Sequence, residues 1–140
     1  MEVVRRDWTE LAKNVQRELY LRLFTDGPVL NFLHEYVKDL RSGELDDHLV
    51  YRKGLRKALH EYTATTPPHV VAARKAKNPG RVVAYVMTTA GPEPLDNVQH
   101  ELDREHYVQR QVRPVAEPVL EAMGLEFDRA IGDDRQLGLF

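Results

Sequence analysis

The chain has 140 residues, a mass of 16.2 kDa, a formal net charge of −2 and no cysteine. That is the length of one domain, and an apolar fraction of 42% supports a modest core and excludes a disordered composition. Disulfides and thiolate metal sites are excluded, no apolar run approaches the roughly 20 residues of a membrane span, and the opening MEVVRRDW has no apolar signal-peptide core.

Val3-Val4 reads as a short β-type run handing over to a helix. Asp7 is placed to cap that helix, with Glu10 completing a capping-box pattern. Trp8, Leu11, Ala12, Val15, Leu19 and Leu23 recur at helical spacing, which predicts an amphipathic helix to about Phe24. Asp26-Gly27-Pro28 ends it, and Pro28 suits the first position of a second helix. Leu30, Leu33, Val37 and Leu40 form the expected stripe of that helix, with Phe32 and Tyr36 off to the side. Ser42-Gly43 stops it, and the short connection predicts an antiparallel hairpin. Glu44, Asp46 and Asp47 beside His48 read as a solvated turn, because a local acidic run seldom converges on a metal.

The charge is then strongly uneven. Residues 51–81 carry Arg52, Lys53, Arg56, Lys57, Arg74, Lys75, Lys77 and Arg81 against the single acid Glu61, so the segment is net +7 and the remainder net −9. Leu55, Leu59 and Tyr62 at helical spacing predict a helix over 52–62 that displays Arg52, Lys53 and Arg56 on neighbouring faces. Tyr62 is available to pack or stack, and Thr63, Thr65 and Thr66 offer hydroxyls and a turn. Pro67-Pro68 breaks the helix, and His69 to Ala73 restart one that ends in the cations Arg74, Lys75 and Lys77. Long cations on a firm element suit a phosphate backbone, the plain alternative being an ordinary solvated basic surface.

Asn78-Pro79-Gly80 is a turn signal, and 81–89 (RVVAYVMTT) is the clearest strand, with no partner identifiable from sequence. Ala90-Gly91-Pro92 ends it. Leu95, Val98, Leu102 and the apolar positions from Tyr107 to Met123 predict helix over 95–123, kinked or divided near Arg113-Pro114. His100 and His106 lack the spacing of a zinc helix and read as structural or solvated. Gly124 closes the segment, and one more turn is expected between Leu125 and Ile131. From Gly132 a polar linker delivers Leu137, Leu139 and Phe140 to the end, where they either fold back on the core or fill a pocket on a partner.

Several stretches, VVRRDW at 3–8, ELYLRLF at 18–24, GELDDHLVYRKGLRKALHEY at 43–62, PPHVVAAR at 67–74, YVMTTAGPEPLD at 85–96 and HYVQRQVRPVAEPVLEAMG at 106–124, resemble the C-terminal part of the family B DNA polymerases, especially their bacterial polymerase II branch. The resemblance covers nearly the whole chain in order and implies a thumb subdomain, mostly α-helical with a minor β element near 81–89, an α+β fold. It implies a division into a palm lead-in at 1–7, the thumb at 8–131 and a flexible tail at 132–140. A thumb grips the primer–template duplex through the sugar–phosphate backbone, which makes Arg52, Lys53, Arg56, Lys57, Tyr62, His69 and Arg74 the expected DNA-binding residues. The terminal QLGLF resembles the peptide with which bacterial replication proteins bind the sliding clamp, so Gln136, Leu137, Leu139 and Phe140 are the expected clamp contacts.

The palm motifs of that family and its exonuclease acids are absent from the sequence, so no catalytic residue is expected and no cofactor in this chain. Mg2+ belongs to the palm of the complete polymerase. The expected partners are double-stranded primer–template DNA, the sliding clamp and the palm and exonuclease portions, in a cytoplasmic, nucleoid-associated setting without a membrane. An excised fragment and a small subunit of a split polymerase both fit. The alternative is a small interaction module or accessory subunit that bridges a polymerase and the clamp.

Overall fold

Residues 9–25, 27–63 and 66–132 are described by a computed structural model. Helix α1 (Glu10–Phe24) buries Leu11, Ala12, Val15 and Leu19, the expected stripe, while Leu23 at its open end is exposed. Its cap is Thr9 and not Asp7: the Thr9 hydroxyl accepts the Ala12 N–H at 3.3 Å. Val3-Val4, Asp7, Trp8 and Asp26 lie outside the described residues. Helix α2 (Val29–Ser42) begins one residue after Pro28 and ends at Gly43, whose φ of 96° only glycine adopts without strain. The buried stripe is Val29, Leu33, Tyr36, Val37 and Leu40, so Leu30 falls outside it and Tyr36 inside. Tyr36 is tolerated there because its hydroxyl donates to the Leu11 carbonyl at 3.2 Å, and burial pushes its phenol above the usual tyrosine range.

The expected helix over 52–62 does not form. Strand β1 (Tyr51–Gly54) occupies its start, followed by a loop and one 3-10 turn, Leu59–Glu61. Gly54 weakens a helix by about 1 kcal/mol relative to alanine. Pairing also places Tyr51 between two rings, 5.2 Å from Tyr85 and 5.5 Å from Tyr107 between centroids. These tertiary contacts override the local periodicity. Helix α3 (Pro68–Lys75) restarts after Pro67 as expected.

Strand β2 (Val82–Thr88) is the predicted strand, and its partners are β1 and β3 (Gly91–Pro94), both antiparallel, in the order β1-β2-β3. Pro92 and Pro94 are admissible in β3 because it is an edge strand. Ala72 and Ala73 of α3 pack against Val83 and Tyr85 to make a small second core, flanked by Tyr51, Leu55 and Leu59.

Residues 95–123 are not one helix. A 3-10 turn, Leu95–Asn97, leads into an irregular stretch, then α4 (Arg104–Tyr107), a π-helical turn Val108–Val112, and α5 (Arg113–Ala122). The irregular stretch is held by buried Glu93, which accepts the N–H groups of Gln99 at 2.8 Å and His100 at 3.1 Å. In the π turn the Arg113 N–H donates to the Val108 carbonyl, five residues back. Pro114 follows immediately; its ring would collide with the carbonyl four residues back in a regular helix, and the wider turn relieves this. The break therefore falls beside Arg113-Pro114, as predicted. A short α6 (Phe127–Ala130) completes the described chain. The main core joins α1, α2, α4 to α5 and α6, so the fold is predominantly α-helical with a small three-stranded sheet, α+β.

Candidate nucleic-acid interface

The basic segment folds as its own lobe, the sheet with α3, seated on the helical lobe through Tyr51. Besides its two ring stacks, the Tyr51 hydroxyl is hydrogen-bonded to His106 Nε2 at 2.7 Å. Burial lowers the pKa of His106, with Arg110 assisting and Asp103 opposing, so the ring is kept neutral. The Met87 N–H donates to the Tyr107 hydroxyl at 2.8 Å, and burial raises the pKa of that phenol. Arg104 adds a bidentate pair to Asp46, at 2.9 and 2.7 Å, which ties the acidic turn to α4 and raises the arginine's pKa through that hydrogen bond.

On this lobe Arg52 and Lys53 are exposed on edge strand β1, and alternation sends them to opposite faces of the sheet. Arg56 and Lys57 are exposed in the loop that follows. The Arg56 N–H donates to the Tyr62 hydroxyl at 3.0 Å, and Lys57 Nζ stands 4.8 Å above the Tyr62 ring. That ring meets His69 edge-on at 6.2 Å. His69 is buried, and burial, with the charge of Lys53 assisting, lowers its pKa. Arg74 Nη2 donates to the carbonyls of Leu59 at 3.2 Å and Tyr62 at 2.7 Å, pinning the loop to α3. The fold thus gathers Lys53, Lys57, Tyr62, His69 and Arg74 and leaves Arg52 on the other sheet face. Arg52, Lys53 and Arg56 stand on a strand and a loop, not on a helix. Arg81, counted in the basic segment but not among the expected site residues, joins the same loop: its carbonyl accepts the Leu55 N–H at 2.7 Å. Gln136, Leu137, Leu139 and Phe140 lie outside the described residues, as does Thr65.

Ion pairing is far denser in the helical lobe, although Arg17, Lys38 and Arg110 there are exposed without a carboxylate partner among the described residues. Lys13, Arg22, Arg41, Arg104, Arg113 and Arg129 all pair with carboxylates. Among the described residues, none of the eight cations at 52–81 does so. Arg74 and Lys75 are held by backbone carbonyls, the latter by Pro92 at 2.9 Å. Arg52, Lys53, Arg56, Lys57, Lys77 and Arg81 are exposed without an anionic partner among the described residues. Uncompensated like charge on a firm platform raises a positive potential that suits a polyanion. Among the described residues no group of three His, Asp or Glu is arranged to hold a metal, and no helix is long and apolar enough to cross a membrane.

No protein-family model matches the chain. It is 46% identical to DNA polymerase II of Escherichia coli over its whole length and 19% of that protein's. It is 31% identical to a DNA polymerase of Thermococcus kodakarensis over 99% of this chain and 10% of that one. The structure of the family B DNA polymerase from Pyrobaculum calidifontis superposes with a TM-score of 0.69 at 29% identity, covering 86% of this chain and 18% of the polymerase. The chain is thus homologous to one part of family B, polymerase II-type DNA polymerases and spans a fifth or less of these relatives' length.

Proposed function

We propose that the chain is the thumb of a family B, polymerase II-like DNA polymerase, holding primer–template duplex by its sugar–phosphate backbone for chemistry performed on another part of the enzyme. The observation that carries this is the run of eight cations at 52–81 without a carboxylate partner among the described residues, whereas most arginines of the helical lobe, Arg22, Arg41, Arg104, Arg113 and Arg129, are ion-paired. Arg52, Lys53, Arg56 and Lys57 supply charge. Tyr62, His69 and Arg74 set the loop that carries Arg56 and Lys57. No catalytic role is assigned to this chain, and the Mg2+ of nucleotidyl transfer belongs to the palm of the complete enzyme. Changing Arg52, Lys53 and Arg56 together to alanine is expected to weaken duplex binding without altering sequence preference. Unchanged affinity would remove this lobe as the DNA surface.

The tail supports a second role alongside the first. Gln136, Leu137, Leu139 and Phe140 are proposed to enter a pocket on the sliding clamp and keep the polymerase near its template. Deleting Leu139 and Phe140 is expected to abolish clamp binding and leave duplex binding intact. A chain that bound the clamp but never DNA would be a bridging module, the alternative reading.

A further inference from the structure

We infer that the loop 55–58 and the turn 79–81 form a two-walled cradle for a single phosphate group, with Arg81 as its third cation. The inference rests on the DNA-binding reading and adds a site and a residue to it. A shallow depression lies between the two segments, with Arg56 and Lys57 on one wall and Arg81 on the other. Leu55, Ala58, Pro79 and Gly80 complete its lining, with no acidic side chain among them to repel an anion. The walls are fixed to each other by the Leu55 N–H to Arg81 carbonyl bond, and the Arg56 N–H is fixed to the Tyr62 hydroxyl. The backbone from which Arg56 and Arg81 project is therefore held in place before any ligand arrives.

Two further features select an anion. The side chains of Arg56 and Arg81 have no partner among the described residues. The backbone N–H groups of Lys57 and Ala58 likewise have no acceptor among them. Two arginines and a lysine lining one hollow, on a loop with two unpaired amide donors, suit the tetrahedral oxygens of a phosphodiester. Lys53 and Arg52 lie upstream on β1 and engage other phosphates of the same strand or its complement.

The test uses the full chain and a fluorescent DNA duplex, with anisotropy read against salt. Arg81→Ala should bind about 5- to 10-fold more weakly at 0.1 M salt and lower the log–log salt slope by about 0.9, the loss of one phosphate contact. Arg81→Lys should recover part of this loss, and Lys38→Ala, an exposed cation of the helical lobe, should change neither quantity. Thermal unfolding of Arg81→Ala should match the wild type, since its side chain has no bond to lose. If the wild type binds duplex and Arg81→Ala binds equally well, the cradle is wrong while the DNA reading stands. If the wild type binds no duplex, the DNA reading fails, and titration with inorganic phosphate decides the cradle. Saturable shifts of the Lys57 and Ala58 amide resonances that vanish in Arg81→Ala would support it, and their absence would overturn it.

Discussion

Gln111 lies buried against the start of α1, and its Oε1 receives both the N–H of Thr9 at 3.0 Å and the Thr9 hydroxyl at 2.9 Å. The same hydroxyl caps α1, so one amide oxygen fixes the cap from 102 residues away. Gln111→Leu should strand two buried donors and cost about 2 kcal/mol, against about 1 kcal/mol for Thr9→Ala, with urea unfolding as the measure. Glu93 is a second buried anchor. Burial alone would raise its pKa, but the N–H groups of Gln99 and His100 and the His100 ring outweigh this and hold it below the usual carboxylate value. A depressed carboxyl stabilises the fold above its unfolded pKa, about 4.3, and that contribution fades as pH falls through the lower folded value. Glu93→Gln should therefore flatten the acid side of the stability curve below about pH 4.3. His69 and His106 also have lowered pKa values, chiefly from burial. Both bind protons more readily when unfolded, so stability should decline as pH drops below about 6.5, their unfolded value. His106→Gln should remove part of that decline.

At the scale of elements, α1, α2, α3 and β2 were legible because each carries its own signal: a periodic stripe, a proline start, a glycine stop or a β-branched run. β1 and β3 were not. Four residues with a glycine, and four with two prolines, have no independent strand character. They are strands because β2 lies between them. The loop before α4 deceived for the opposite reason. Leu95, Val98 and Leu102 are spaced like a helix face, yet Glu93 takes the N–H groups that a helix would direct to its own carbonyls. In the candidate site the charge was legible and its mounting was not, since the positions of Arg52, Lys53, Arg56 and Lys57 depend on β1 pairing with a strand some 30 residues away. The π turn belongs to this scale as well. Pro114→Ala should allow Val108–Val112 to tighten toward an α-helix and draw Gln111 off Thr9, visible as loss of the Thr9 amide's exchange protection.

For the molecule as a whole, the sheet lobe is an instrument mounted on a helical base, and Tyr51 is the mount. It belongs to both cores, stacked on Tyr85 of one and Tyr107 of the other. Tyr51→Ala should destabilise the chain by about 2–3 kcal/mol and loosen the lobes relative to one another. Duplex binding should weaken even though no cation is removed, because the platform that spaces them is lost. Tyr51→Phe, which keeps the ring and loses the hydroxyl bond to His106, should have a smaller effect on both. The acidic remainder of the chain gives the molecule a net charge of −2, so binding to a polyanion depends on the local patch and not on the total. The most direct test is the affinity of the intact chain for a DNA duplex of arbitrary sequence across a range of salt concentrations. Engagement of about four phosphates by the unpaired cations predicts a log–log slope of roughly −3 to −4, reduced by about two to three in the Arg52, Lys53 and Arg56 triple-alanine variant. A slope near zero, or one that the triple substitution leaves unchanged, would contradict the account.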